Sequence, residues 1–123
     1  MFNKVSEIEL PLVDSGVRAV YITFDQDWCH EEVLLDSLSL IEEYQATATI
    51  FLTNRLSYMN LLYNNQSIEL GIHPNINPLI DGNCCSSDNA EEIIDGLLSL
   101  VPAARSVRSH SLVTSSRLTE LFF

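Results

Sequence analysis

Four short runs rich in β-branched residues, each followed by a stretch with helical spacing, set the limits on what this chain can fold into. The runs extend from Val17 to Phe24, from Ala46 to Thr53, from Ile68 to Pro74 and from Arg105 to His110. Between them lie a helical pattern from about Glu31 to Tyr44, a shorter one near Tyr58 to Asn64, and Ala90 to Leu100 with Asp88 as its cap. A last helix starts at a Thr114 or Ser115 cap and runs into Phe123. Strands separated by helices pair in parallel through right-handed crossovers, so the order predicts either an open doubly wound sheet or part of a (β/α) barrel. Met1 to Ser15 reads as a short edge strand or a lead-in segment, and Gly82 to Asn89 as a loop.

With 123 residues, the chain suits a single domain spanning 1–123 and is too short for two cores. Four strands make half a barrel with open edges, and Leu121-Phe122-Phe123 ends the chain on apolar residues. The expectation is therefore an apparently truncated fold, with a homodimer through the open sheet edges as one way to cover them. A formal net charge of −11 argues against a nucleic-acid partner or an anionic membrane surface. No run approaches the roughly 20 apolar residues of a membrane span, and no secretory signal is visible. The three cysteines, Cys29 and the neighbours Cys84 and Cys85, lack the spacing of a disulfide framework. Reduced thiols and a cytoplasmic location follow as expectations.

The chemistry concentrates where the first strand ends, at Thr23-Phe24-Asp25-Gln26-Asp27-Trp28. Carboxylates two residues apart on an extended backbone face the same way and repel unless a cation or proton intervenes. Parallel strands bring their carboxyl ends to one rim, where α/β folds collect ligands. That rim gathers Asp27, His73 and His110, a mixed oxygen and nitrogen set with room for water, as a catalytic metal site requires. Zinc is the first choice of divalent ion, with iron, cobalt, nickel and manganese compatible. Taken singly, each residue has a plain alternative: an aspartate at a strand end is commonly a helix cap, and a lone histidine a hydrogen-bonded structural group. Only their joint placement favours a metal. His30 is expected to be exposed at a helix start, and Cys29 to be a small buried thiol rather than a nucleophile.

Thr23-Phe24-Asp25-Gln26-Asp27 resembles the T-F-D-D-G motif of the polysaccharide deacetylase (NodB-homology) superfamily, with one residue inserted between the aspartates or Gln26 replacing the second. Thr47-Ala48-Thr49-Ile50-Phe51-Leu52 resembles that superfamily's A-T-F-F-V strand, and Glu69-Leu70-Gly71-Ile72-His73-Pro74 with Asn75-Ile76-Asn77-Pro78 its E-I-G-x-H-x-x-x-H-P motif. Val107-Arg108-Ser109-His110 falls where its arginine motif lies, and the closest likeness is to the branch found in surface-polysaccharide biosynthesis. The resemblance implies a partial (β/α) barrel of this type, in its amino-terminal part, and metal-dependent hydrolysis of an N-acetyl or O-acetyl group on a sugar. It implies Asp25 as general base, Asp27 and His73 as metal ligands, and Arg108 as the residue orienting the base. The second histidine ligand falls on Asn77, so His110 is the substitute that strand geometry offers. The superfamily's proton donor to the leaving group belongs to a region past residue 123.

Two other classes compete with an enzyme acting on acetylated carbohydrate. A deacetylase-like piece without turnover would serve as a binding or assembly module. A response-receiver domain would use paired acids to hold magnesium, but the later lysine that such a site needs is missing.

Overall fold

The computed structural model describes residues 1–8, 16, 18–80 and 89–123. Its centre is a parallel sheet in the order β1-β2-β3, with β1 at Ile22–Asp25, β2 at Ala48–Leu52 and β3 at Ile68–Ile72. Ile22 pairs with Ala48 and Ala48 with Ile68, so the three strands start level and their carboxyl ends reach one rim together. β2 lies between the other two, and all five of its residues are buried. That explains its unbroken apolar and β-branched sequence, since a strand covered on both faces has no solvent side on which to alternate.

The crossovers are helical, as the spacing predicts. α1 at Glu31–Glu43 buries Leu34, Leu38 and Ile41, a stripe at helical intervals, and leaves Glu42 and Glu43 in water. It stops at Tyr44, after which Gln45 turns the chain with a φ of 50°. α2 at Met59–Asn64 buries Met59 and Leu62. A four-residue turn of helix, α3 at Asn77–Ile80, was not expected from the sequence. α4 at Ala90–Leu100 begins at Asn89, whose side chain accepts from the Glu92 amide while Glu92 reaches back to the Asn89 amide. The cap is thus Asn89; Asp88, Cys84, Cys85 and the rest of the Gly82–Asp88 loop lie outside the described residues. α5 at Ser116–Phe122 is capped by Ser115, whose hydroxyl accepts from the Leu118 amide at 3.2 Å.

Two expectations need correction. The run from Arg105 to His110 is not a full fourth strand. It meets β3 through one parallel bridge, Ile72 with Val107, made by Ile72 N–H to Ser106 O and Arg108 N–H to Ile72 O, both at 3.1 Å. The ladder weakens beyond Ile72 because Pro74 has no N–H to donate to Arg108 O. His110 N–H still bonds to Pro74 O in register, and the chain then enters a 3₁₀ turn at His110–Leu112. The first strand is likewise shorter than its apolar run: it starts at Ile22, and Val20 makes only an isolated parallel bridge to Phe2. Of the lead-in, Val5–Glu7 form a 3₁₀ turn, while residues 9–15 and 17 are not described.

The outer edge of β3, one of those offered for pairing with a second copy, is thus met within the chain by Ser106–Arg108. Leu121 and Phe122 pack against the core, and only Phe123 of the apolar ending is fully exposed.

Candidate metal and catalytic site

At the rim, Asp27, His73 and His110 come together, although 83 residues separate the first from the last. Asp27 Oδ1 lies 3.1 Å from His73 Nε2 and 2.9 Å from His110 Nδ1, and the two ring nitrogens are 3.3 Å apart. Each residue arrives by a different route. His73 follows β3 directly, is 2% exposed, and is fixed by its own amide bonding to Leu52 O at 2.8 Å. His110 is carried in by the segment that bridges to β3. Asp27 lies beyond the end of β1 in a left-handed turn, with φ of 43° at Asp27 and 57° at Trp28. Such angles cost a residue with a Cβ roughly 1–2 kcal/mol each, so other contacts must hold the turn.

Those contacts come from Gln26. Gln26 lies just past the end of β1 and is buried, at 1% exposure, while Asp25 and Asp27 on either side of it are exposed. Its Oε1 accepts from Thr53 N, Thr53 Oγ1 and Asn54 N at 3.0, 2.7 and 3.2 Å, and its Nε2 donates to Asn54 Oδ1 at 2.9 Å. The amide thereby ties the end of β1 to the end of β2.

Asp25 faces a different partner. Arg108 Nη1 donates to Asp25 Oδ1 at 2.9 Å and Nη2 to Thr23 Oγ1 at 3.1 Å, while the guanidinium carbon sits 4.4 Å above the Phe51 ring. Two directional bonds and a stacking face define the orientation of the guanidinium, and with it that of the Asp25 carboxylate. The backbone of Arg108 also serves the other half of the site, since its carbonyl lies 2.5 Å from His73 Nδ1. A carbonyl only accepts, so Nδ1 carries a hydrogen, and in the neutral ring Nε2 then presents its lone pair toward Asp27.

This donor set fits a divalent ion. The Asp27–His73 edge sets a carboxylate oxygen against an unprotonated nitrogen, two acceptors that need a cation or a further proton between them. A tetrahedral ion with ligands at 2.0–2.1 Å separates its ligand atoms by about 3.3 Å. The three edges here, 3.1, 2.9 and 3.3 Å, are close to one face of such a tetrahedron. The outer hydrogen bond from His73 to a carbonyl is the support that ligating histidines usually have.

The neighbourhood is open to a ligand. A cleft of about 390 Å³ beside His73 is lined by Trp28, Asn54, Arg55 and Asn75 and by Ile93 and Leu97 of α4. A larger space of about 980 Å³ between α1 and α2 lies at the other end of the strands, walled by Gln45, Asn65 and Gln66, and among the described residues it gathers no group of metal-ligating side chains. Chemistry rather than size therefore picks the rim. Trp28, the single tryptophan, is 54% exposed and sets its ring edge-on to His110 with centroids 5.4 Å apart. Asn77 stays out of the ligand group and donates to Ser111 Oγ at 3.0 Å. Cys29 is a free, partly buried thiol packed on the core, and exposed His30 pairs with Glu32 at the start of α1.

Glu31 fastens the start of α1 to the loop before α2. Its carboxylate accepts from the amide and hydroxyl of Ser57, and these bonds, the hydroxyl's foremost, hold its pKa below the usual carboxylate value. Tyr58 donates to the Glu31 carbonyl at 2.9 Å. Burial, assisted by the nearby Glu31 and Cys29, pushes its phenol up to about 12.

Residues 22–123 match the family described as WbmS-like polysaccharide deacetylase. The chain belongs to that family. Among solved structures, a candidate polysaccharide deacetylase involved in O-antigen biosynthesis from Bordetella bronchiseptica is similar, with a TM-score of 0.87 and 36% sequence identity. The similarity covers 98% of this chain and 49% of that one, so the chain spans about half the length of this relative. No curated protein matches. The three parallel strands and their helices are thus a partial barrel of the polysaccharide deacetylase type. Sequence reasoning reached this family from the strand-end motifs, and it named Asp27, His73 and His110 together. It missed Gln26, for which the residues inward of a strand end give no signal beyond alternation.

Proposed function

We propose that this chain carries the metal-binding half of a carbohydrate deacetylase, a hydrolase that removes an acetyl group from an N-acetylated or O-acetylated sugar of a polysaccharide or its precursor. The observation that carries the reading is the triangle of Asp27, His73 and His110, with the His73 tautomer set by the Arg108 carbonyl. Those three residues would hold the ion, zinc being the first choice for one oxygen and two nitrogens. A divalent ion there supplies Lewis acidity for an acetyl carbonyl and for water.

The remaining work falls to residues of the chain itself. Asp25 is the general base: Arg108 occupies its Oδ1, which leaves Oδ2 as the acceptor for a proton from attacking water. Arg108 sets the direction of that oxygen, and Thr23 and Phe51 set Arg108. The acetylated sugar lies in the cleft beside His73, where exposed Trp28 offers a flat apolar face and Asn54 and Asn75 offer hydrogen bonds. A cytoplasmic location belongs to the same proposal and is supported by the free Cys29 thiol; among the described residues no helix is long and apolar enough to cross a membrane.

Metal analysis of the purified chain after zinc loading and desalting tests the ligand set. One ion per chain is expected, with loss in Asp27→Ala and in His73→Ala; unchanged metal content in both variants refutes the assignment. A second reading, a binding or assembly module without turnover, is favoured by Asn77 standing where the motif has its second histidine. Acetate release from acetylated sugars, assayed with and without zinc, separates the two: no release in either condition, together with intact metal binding, selects the module.

A further inference from the structure

We propose that Gln26 is a positioning residue that aims Asp27 at the two imidazoles, and is not a ligand held in reserve; the inference rests on the metal reading above. In the T-F-D-D-G pattern an acid stands directly after the first aspartate, and here that place holds an amide. The amide is not free to take an ion, because both of its ends are bonded to Thr53 and Asn54 at the end of β2. Three hydrogens converge on Oε1, and Nε2 is spent on Asn54.

These bonds shape the turn. Thr53 Oγ1 donates to Gln26 Oε1 at 2.7 Å and accepts from Trp28 N–H at 3.3 Å, so one hydroxyl links the amide to the far side of Asp27. Gln26 N–H bonds to Phe51 O at 3.0 Å and Gln26 O accepts from Cys29 N–H at 2.8 Å, which closes the turn around Asp27 and Trp28. Asp27 is thus bracketed on both sides by bonds of its neighbours while its own carboxylate is half exposed. Two consecutive left-handed residues, neither of them glycine, keep that geometry only while the bracket holds. The ligand oxygen comes from the residue after Gln26 because the inward amide forces the outward turn.

Zinc titration of the full chain, followed by the emission of Trp28 and by equilibrium dialysis, tests this. Gln26→Met keeps the volume and removes all four side-chain bonds, and Thr53→Val removes the link to Trp28 while leaving Gln26 in place. Loss of an outer-sphere partner weakens metal binding about 10–100-fold. That loss is expected for Gln26→Met, with a smaller loss in the same direction for Thr53→Val, both measured at a temperature where circular dichroism shows the chain fully folded. A purely structural role lowers the melting temperature and leaves the zinc affinity of the folded protein unchanged. Zinc affinity within twofold of wild type in Thr53→Val and in a folded Gln26→Met overturns the proposal; should Gln26→Met not fold, the Thr53→Val result decides alone. Failure of the wild-type chain to bind zinc overturns the metal reading itself, which the wild-type titration reports separately.

Discussion

Gly71 stands where three parts of the site meet, and the cost of adding one methyl there follows from distances. A Cβ at this position would lie 2.6 Å from Ser106 Oγ and 2.8 Å from two carbons of the Phe51 ring. Carbon contacts are comfortable at about 3.5–4.0 Å, so both neighbours must retreat by roughly 1 Å. Neither is free to do so. Ser106 donates to Glu69 Oε1 at 2.8 Å and its carbonyl accepts from Ile72, while the Phe51 ring is 1% exposed and lies beneath Arg108. Overpacking of this kind costs about 1–3 kcal/mol. For a chain of this size that lowers the melting temperature by roughly 4–12 °C. The control is Gly96→Ala in α4, where an added Cβ meets nothing within 4 Å. There the same methyl should stabilise the helix by about 0.5–1 kcal/mol. Differential scanning calorimetry of the two variants reads both signs, and Gly71→Ala melting at or above the wild-type temperature refutes the packing argument. Because Phe51 supports Arg108, Gly71→Ala should, on the deacetylase reading, also lower turnover, a misplacement near 1 Å being worth up to about 100-fold.

Arg108→Lys keeps the charge but loses the paired donors and the flat face over Phe51; acetate release should fall by about 10–100-fold with zinc content unchanged, and simultaneous loss of zinc would contradict the separation of roles. Glu69 accepts from Ser6 N, Thr49 Oγ1 and Ser106 Oγ, so Glu69→Gln turns one acceptor into a donor and should cost about 1–3 kcal/mol in urea denaturation. Leu52→Ala, at a fully buried position in the central strand, should cost about 2–5 kcal/mol in the same assay. The raised phenol of Tyr58 predicts stability that is complete below the ordinary tyrosine pKa near 10 and lost as pH rises through about 12, because only the unfolded chain ionises within that window. Ultraviolet titration should show one late tyrosine that disappears in Tyr58→Phe, and an unchanged titration curve would refute the burial argument.

The sequence carried the parts that depend on periodicity and composition. β2 reads as a buried strand because Ala48 to Leu52 is apolar except for the β-branched Thr49, and α1 and α4 fall within a residue of their apolar stripes. The parallel order then brings His73 and Asp27 to one rim with no further information. What periodicity could not carry was pairing. Arg105 to His110 has strand-like residues, yet whether it extends the sheet depends on donors of the partner strand, and Pro74 withdraws one. Asp27 reaches the rim by a route that alternation does not give: an extended backbone would aim both aspartates alike, whereas the strand ends at Asp25 and a left-handed turn sends Asp27 to different partners. The four-residue α3 is too short for a periodic signal, and the capping role of Asn89 lay one residue past the aspartate chosen for it.

The segment from Ser106 to His110 is where stability and chemistry join. Its two ladder bonds to Ile72 fix the height of Arg108 on the sheet edge. From that height the guanidinium reaches Asp25, the carbonyl reaches His73 Nδ1, and two residues on His110 closes on Asp27. A slip of one residue would reverse the faces, turning Arg108 and His110 away from the rim together. On the proposed reading, proton acceptor and ligand triangle are set by one register rather than tuned apart, and a variant that weakens only this bridge should lose metal affinity and turnover in proportion. Val107→Gly, which leaves every rim side chain in place while loosening the bridge residue, makes the test: zinc affinity and acetate release should decline together, and a decline in either one alone would show that the two halves are positioned independently.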